Sequence, residues 1–266
     1  MQPLNHLAAV SFTGVDAKAF CESQFTAHLG DGPDPYWRPA AWCSPSGKVI
    51  CTLLYRVSAD GVTCITLSVV LSTVIDQLRP FMIGRAVEVG PIGPVFGASN
   101  SGRVGNLVYD LTRTLSLDAD EAHDGAPMLR EMQWQEQDIL FGMPWVPPGL
   151  TQQFLPQSLG LQRLGGLSYQ KGCYPGQEVI AKIHYRGEVK QTVVIITPES
   201  PEKLESGMAL YLNHHNSEVA LRGAVAWVLA VGSHHALCVC SKRLESPTSL
   251  FTDSGEIKLT DWTRME

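Results

Sequence analysis

The stretch from Gln191 onward limits the fold more than any other part of the chain. It holds six short apolar runs, at 192–197, 208–212, 224–231, 236–240, 249–252 and 256–259. Turn residues separate them, and none leaves room for a long helix. Runs this short and this evenly spaced predict a small closed β-barrel. A domain boundary is therefore expected near Gln191.

Upstream the pattern mixes helix and strand. A strand at 7–12 ends before Gly14, and Asp16 stands where a short side-chain oxygen can cap a helix. Ala17, Phe20, Cys21, Phe25 and Leu29 follow at helical spacing. After the loop GDGPDP come a strand fragment at 40–43 and a PSG turn. Strand-like runs at 49–57 and 62–70 flank SADG, the mark of a hairpin. A helix over 71–81 and a returning strand over 85–89 complete a sheet with helices on one face. That is an α+β pattern, not a doubly wound parallel one. A loop or linker is expected over 90–105, strand or helix over 107–117, a solvated acidic surface over 118–124 and a loop over 144–149. The expected division is an N-terminal α+β subdomain at 1–90, a second, shortened α+β subdomain at 91–190 and a β-barrel at 191–266.

Composition removes several classes. A hydrophobic fraction of 44% against 17% charged residues excludes a disordered chain. The net charge of -6 argues against direct nucleic-acid binding. The N-terminus has no basic leader and no long apolar core, and no apolar run is long enough to cross a bilayer. A cytoplasmic monomer without membrane contact is expected. The seven cysteines are scattered with no C-x-x-C pair, so neither a disulfide framework nor an autonomous metal site is expected. Cys238 and Cys240 would share one face of a strand and be buried.

One passage carries chemistry: FLPQSLGLQRLGGLSYQKGCYPGQEVIAKIHYRG, residues 154–187. Tyr174-Pro175-Gly176-Gln177 is a turn, and a short helix follows over 177–184. Glu178 sits in its first turn and can pair with Lys182 at i,i+4. Cys173 thus precedes a helix start and lies two residues from Lys171, and both features favour a thiolate. Lys171, Lys182, Arg186 and Lys190 make the passage basic. Two generic readings stay open on these residues. One is a structural turn with a buried cysteine. The other is a Cys–His hydrolase, with His184, His214, His215, His234 or His235 as base.

KGCYPGQEVIAKIHYRG resembles the signature of the YgfZ family, which is related to the T-protein (aminomethyltransferase) of the glycine cleavage system. FLPQ with GGLS, the opening FTGVDAKAF, the turn SPSGK, and Trp134 followed by Gly142-Met143-Pro144 extend the likeness over most of the chain. The resemblance implies a T-protein-like fold of two α+β subdomains around a central cavity plus a C-terminal barrel. It implies tetrahydrofolate as cofactor, and iron–sulfur client proteins, including tRNA-modifying enzymes, as partners. It gives the functional role to Cys173 with Lys171, and folate contacts to Trp134, Tyr174, Gln177, Glu178, Lys182 and Arg186. Trp134 would stack on the pterin. Three features depart from the family pattern: Lys182 stands where Arg is common, Gly160 where Asn is common, and the middle region is short. A folate-dependent aminomethyl transferase and a paralogue that has lost folate are the alternatives.

Overall fold

The computed structural model describes residues 3–99, 105–118, 129–212 and 223–265. Strands β1 (Leu7–Thr13), β2 (Arg38–Cys43), β3 (Val49–Val57), β4 (Gly61–Leu67) and β5 (Glu88–Val89) form one sheet in the order β2-β3-β4-β1-β5, with every pairing antiparallel. Helices α1 (Ala17–Gln24) and α2 (Ser68–Leu78) pack on it. Phe12, Phe20, Phe25, Tyr55, Leu71 and Ile75 help to fill the core between them.

Local differences from the expected elements have physical causes. Asp16 does not cap α1 with its side chain; its Oδ2 accepts from the Ala86 amide at 2.7 Å, tying the helix start to the β5 segment. Phe25 and Leu29 lie beyond the helix. Phe25 is extended and bridges Trp42, so its apolar character reflects a sheet contact. The run at 62–70 divides at Leu67, where the backbone turns into α2. The expected linker at 90–105 contains β6 (Phe96–Ser99), which pairs with β7 (Arg113–Ser116). Helix α3 (Glu131–Phe141) was not expected from the pattern. Of the acidic run, Asp118 is exposed and the rest lies outside the described residues, as do His214 and His215.

The C-terminal strands β8 (Gln191–Pro198), β9 (Ala209–Leu210), β10 (Ala226–Val231), β11 (Ala236–Ser241), β12 (Ser249–Thr252) and β13 (Gly255–Arg264) run in the order β12-β13-β8-β11-β10-β9. Tyr211 and Phe251 exchange backbone hydrogen bonds at 2.9 and 2.8 Å, joining the two edges and nearly closing a barrel. Closure matters because an open edge is a template for unwanted pairing. Cys238 and Cys240 both point into its core, as expected. A third core joins the pieces: Trp37, Leu54, Trp134, Trp145, Tyr174 and Leu237 belong to one buried cluster. No helix among the described residues is long and apolar enough to cross a membrane.

Candidate functional site

The signature passage is clasped by the N-terminal sheet. Helix α4 (Gln177–Arg186) starts at Gly176, whose φ of +80° only glycine adopts without strain. A Cβ there would stand 2.5 Å from Gly47 Cα and 2.6 Å from the Ser44 carbonyl oxygen. Gly47, in the turn between β2 and β3, has φ +76° and faces Val179 and Ile180 in return. The two glycines let two turns touch backbone to backbone. Ile180 is the buried residue of α4, and Gln157 Nε2 donates to its carbonyl at 2.8 Å. The FLPQ segment is held in turn by the Val49 amide donating to Phe154 O at 2.8 Å.

Cys173 sits on this turn with its side chain exposed, while the other six cysteines are buried. Burial pushes Cys51 up to about 12 and Cys240 to about 11, and raises Cys43, Cys64 and Cys238 as well. A Cβ at neighbouring Gly172 would meet nothing within 4 Å, so the approach to Cys173 is open on that side.

Lys171 has a different task from the one its proximity to Cys173 suggests. Its side chain is fully buried, and its ammonium donates to the carbonyl oxygens of Glu22, Phe25 (2.7 Å) and Ala27 (2.8 Å). Three N–H donors meet three acceptors, so none is left for the thiol. Glu22 Oε1 lies 3.6 Å away and the Tyr174 ring 5.2 Å, both favouring the cation. Burial draws the ammonium down to about 8, and Glu22 works against that. Lys171 therefore pins the signature turn to the C-terminal end of α1. The rest of the passage supports the turn: Tyr174 is buried and donates to Ser168 O at 3.2 Å, and Gln177 Nε2 donates to Lys171 O at 3.3 Å.

Glu178, Lys182 and Arg186 are exposed on α4, and Glu178 and Lys182 form no ion pair among the described residues. His184 stacks on Tyr169, with centroids 3.8 Å apart and 15° between planes. His235 Nδ1 is bonded to Glu136, and the His234 amide donates to the same carboxylate at 3.2 Å. No imidazole among the described residues hydrogen-bonds Cys173, and His214 and His215 lie outside them.

Trp134 requires a correction. The indole is fully buried, with the Arg113 guanidinium 4.3 Å from its centroid. The ring also packs so closely on Gly97 that a Cβ there would lie 2.4 Å from Trp134 Cε3. The protein already fills the space a pterin would need to stack. The partner cation belongs to a buried network: Arg113 is paired with Asp110 and with Asp138 at 2.8 Å, and Asp138 Oδ2 accepts from Trp145 Nε1 at 2.7 Å.

The neighbours of Trp134 on α3 do reach a cavity. A space of about 540 Å³ opens where β4 meets α2, between α3 and β10 of the barrel. Its lining includes His6, Gln135, Asp138, Trp145, Ser206 and Leu229. The signature turn lines none of it. Both ring nitrogens of His6 are buried without a hydrogen-bond partner, although Glu131 Oε1 lies 3.4 Å from Nδ1. Burial lowers the His6 pKa, and Asp138 and Glu131 only partly restore it. Gln135 forms no hydrogen bond among the described residues. The sequence held one trace of this site, an Asp four residues after Trp134, in a run whose helical form the apolar pattern does not show. Nothing marked His6.

The structure thus joins Lys171, Cys173, Tyr174, Gln177 and Glu178 in one turn and helix start, and sets Trp134 apart from them. No family model matches the sequence. Among solved structures, the chain is similar to the glycine cleavage system aminomethyltransferase T from Bartonella henselae, with a TM-score of 0.65 at 10% identity, covering 99% of this chain and 84% of that one. At that identity the likeness establishes the fold: a mixed α and β chain with a nearly closed barrel, of the kind the aminomethyltransferase has.

Proposed function

We propose that this chain is a folate-binding accessory protein that supports iron–sulfur enzymes through Cys173. The observation that carries the reading is the exposure of Cys173 alone among seven cysteines, on a turn fixed by two interlocked glycines. The similarity of the signature to the YgfZ family and the T-protein-like fold support it. The same likeness supports three subdomains bounded near residues 90 and 190.

The cavity beside α3 suits a reduced pterin. Its volume lies within the range of small-molecule sites, roughly 300–1,000 Å³. Leu67, Leu229 and Trp145 give apolar walls, while Gln135 and His6 carry uncommitted polar atoms. Gln135 would read the pterin amide edge, and neutral His6 can accept or donate one hydrogen bond. Bound tetrahydrofolate would supply a one-carbon carrier. Asp138 is already engaged by Arg113 and Trp145, so its part is to hold the wall. On the surface, Cys173 would act on the client as a single sulfur donor, as a cluster ligand or a thiol in exchange, and Lys171 would fix its position.

Calorimetry with millimolar tetrahydrofolate tests the cavity. Binding that weakens in Gln135→Leu supports it, and absence of heat overturns it. Restoration of iron–sulfur enzyme activity in a strain lacking this gene tests the thiol, and rescue by Cys173→Ser equal to wild type overturns its role. The burial of Trp134 favours a second reading, a paralogue without folate. Absence of binding together with a required Cys173 would select it.

A further inference from the structure

A second cavity, of about 560 Å³, lies where the 157–163 segment meets the barrel. Its polar lining includes Gln157, Gln162, Arg163, Thr192, Lys242 and Arg264, and no Asp or Glu among the described residues lines it. The three cations come from distant parts of the sequence. Arg163 follows Gly160, Lys242 follows β11, and Arg264 ends β13.

None of the three is neutralised by a carboxylate among the described residues. Arg163 Nη2 donates to Phe141 O at 2.9 Å, and Arg264 Nη2 donates to Leu244 O. Four cations elsewhere do have carboxylate partners: Arg38 with Asp34, Arg79 with Asp76, Arg113 with Asp110, Lys171 with Glu22. Burial draws Arg163 below its ordinary value, with no carboxylate opposing it. In a chain with 26 acidic and 20 basic residues, three uncompensated cations around one cavity mark a place that attracts anions.

The donor set narrows the anion. A guanidinium fork matches the oxygens of a phosphate bidentately, and a lysine adds a point charge. Thr192, Gln162 and Gln191 supply neutral donors. Gly160, at φ +71°, keeps the floor open, since a Cβ there would touch only Val193 Cγ2 at 3.8 Å. The volume exceeds what an inorganic ion fills, and Val189 and Met265 offer apolar contact to an organic part.

We infer that this cavity binds an organic phosphate of about nucleotide size, with its phosphate groups held between Arg163, Lys242 and Arg264. The site is separate from the cavity beside α3 and does not depend on folate.

The test is calorimetry on the full chain with ADP, pyrophosphate and citrate as probes, at low and high salt. ADP and pyrophosphate should bind, and binding should weaken with salt. Lys242→Gln and Arg264→Gln should each reduce ADP affinity roughly tenfold, while Lys242→Arg retains it. Both side chains are exposed, so circular dichroism should show the variants folded. Absence of ADP binding, or unchanged affinity in the folded double variant, overturns the proposal. Citrate binding as tightly as pyrophosphate overturns its phosphate chemistry, and pyrophosphate binding without ADP binding overturns its organic part.

Discussion

Cys173 should be the first residue modified when the native protein meets limiting iodoacetamide, because burial holds the other thiols back. Peptide mapping by mass spectrometry reads this directly, and prior labelling of Cys21 or Cys43 would contradict it. Lys171→Met leaves three carbonyl oxygens and Glu22 facing an apolar chain, so it should cost about 3–5 kcal/mol in urea unfolding. Lys171→Arg should not rescue it, since a planar guanidinium cannot occupy a cage built for a compact ammonium. Preserved stability in either variant would refute the cage. Trp134→Ala should likewise act on the fold, by about 3–5 kcal/mol, because the indole is core. Neither residue's fate was legible locally. Lys171 meets partners 144 to 149 positions away, and Trp134 is enclosed by Gly97 and Arg113, which no helical spacing reveals.

Among the elements, the turn pair at Gly47 and Gly176 decides where α4 begins. Gly176→Ala adds left-handed strain of about 1–2 kcal/mol to a backbone collision. Gly47→Ala carries the same strain, but its nearest contacts are 3.2 Å or more and mainly side chain. The expected order is therefore a larger loss of melting temperature for Gly176→Ala, with faster alkylation of Cys173 as the turn loosens. Equal effects would show that the turns do not interlock. The elements were legible where their signal was local. The barrel strands follow from short apolar runs, and the turn before α4 from Pro175 and Gly176. The length of α1 was not, because Phe25 serves the sheet through Trp42 while standing at helical spacing from Cys21. Nor was β6, whose Phe96-Gly97 sequence reads as loop until Trp134 packs against it.

For the whole molecule, pH should act in two stages. His6 is held below its ordinary 6.5 by burial, so the unfolded chain binds that proton first as pH falls. Stability must then decline below about 6.5. Burial acts to raise Glu22 and Glu136, but hydrogen bonds from His28 and the Leu29 amide, and from His235 and the His234 amide, outweigh it and keep both below the ordinary glutamate value of 4.5. Their contribution is present above that pH and is lost as pH falls through the lowered values. Urea midpoints measured between pH 8 and 3 should show both declines, and His6→Asn should flatten the first. A first stage unchanged in that variant would remove His6 from the account.

The cage around Lys171 also has a consequence in time. The N-terminal sheet pairs strands close together in sequence, so it can form while the chain is still being synthesised. The carbonyls at the end of α1 cannot find their ammonium until residue 171 has left the ribosome, nearly 150 residues later. The nascent sheet therefore waits with an unfinished corner, and the thiol is positioned only at the moment that corner is sealed.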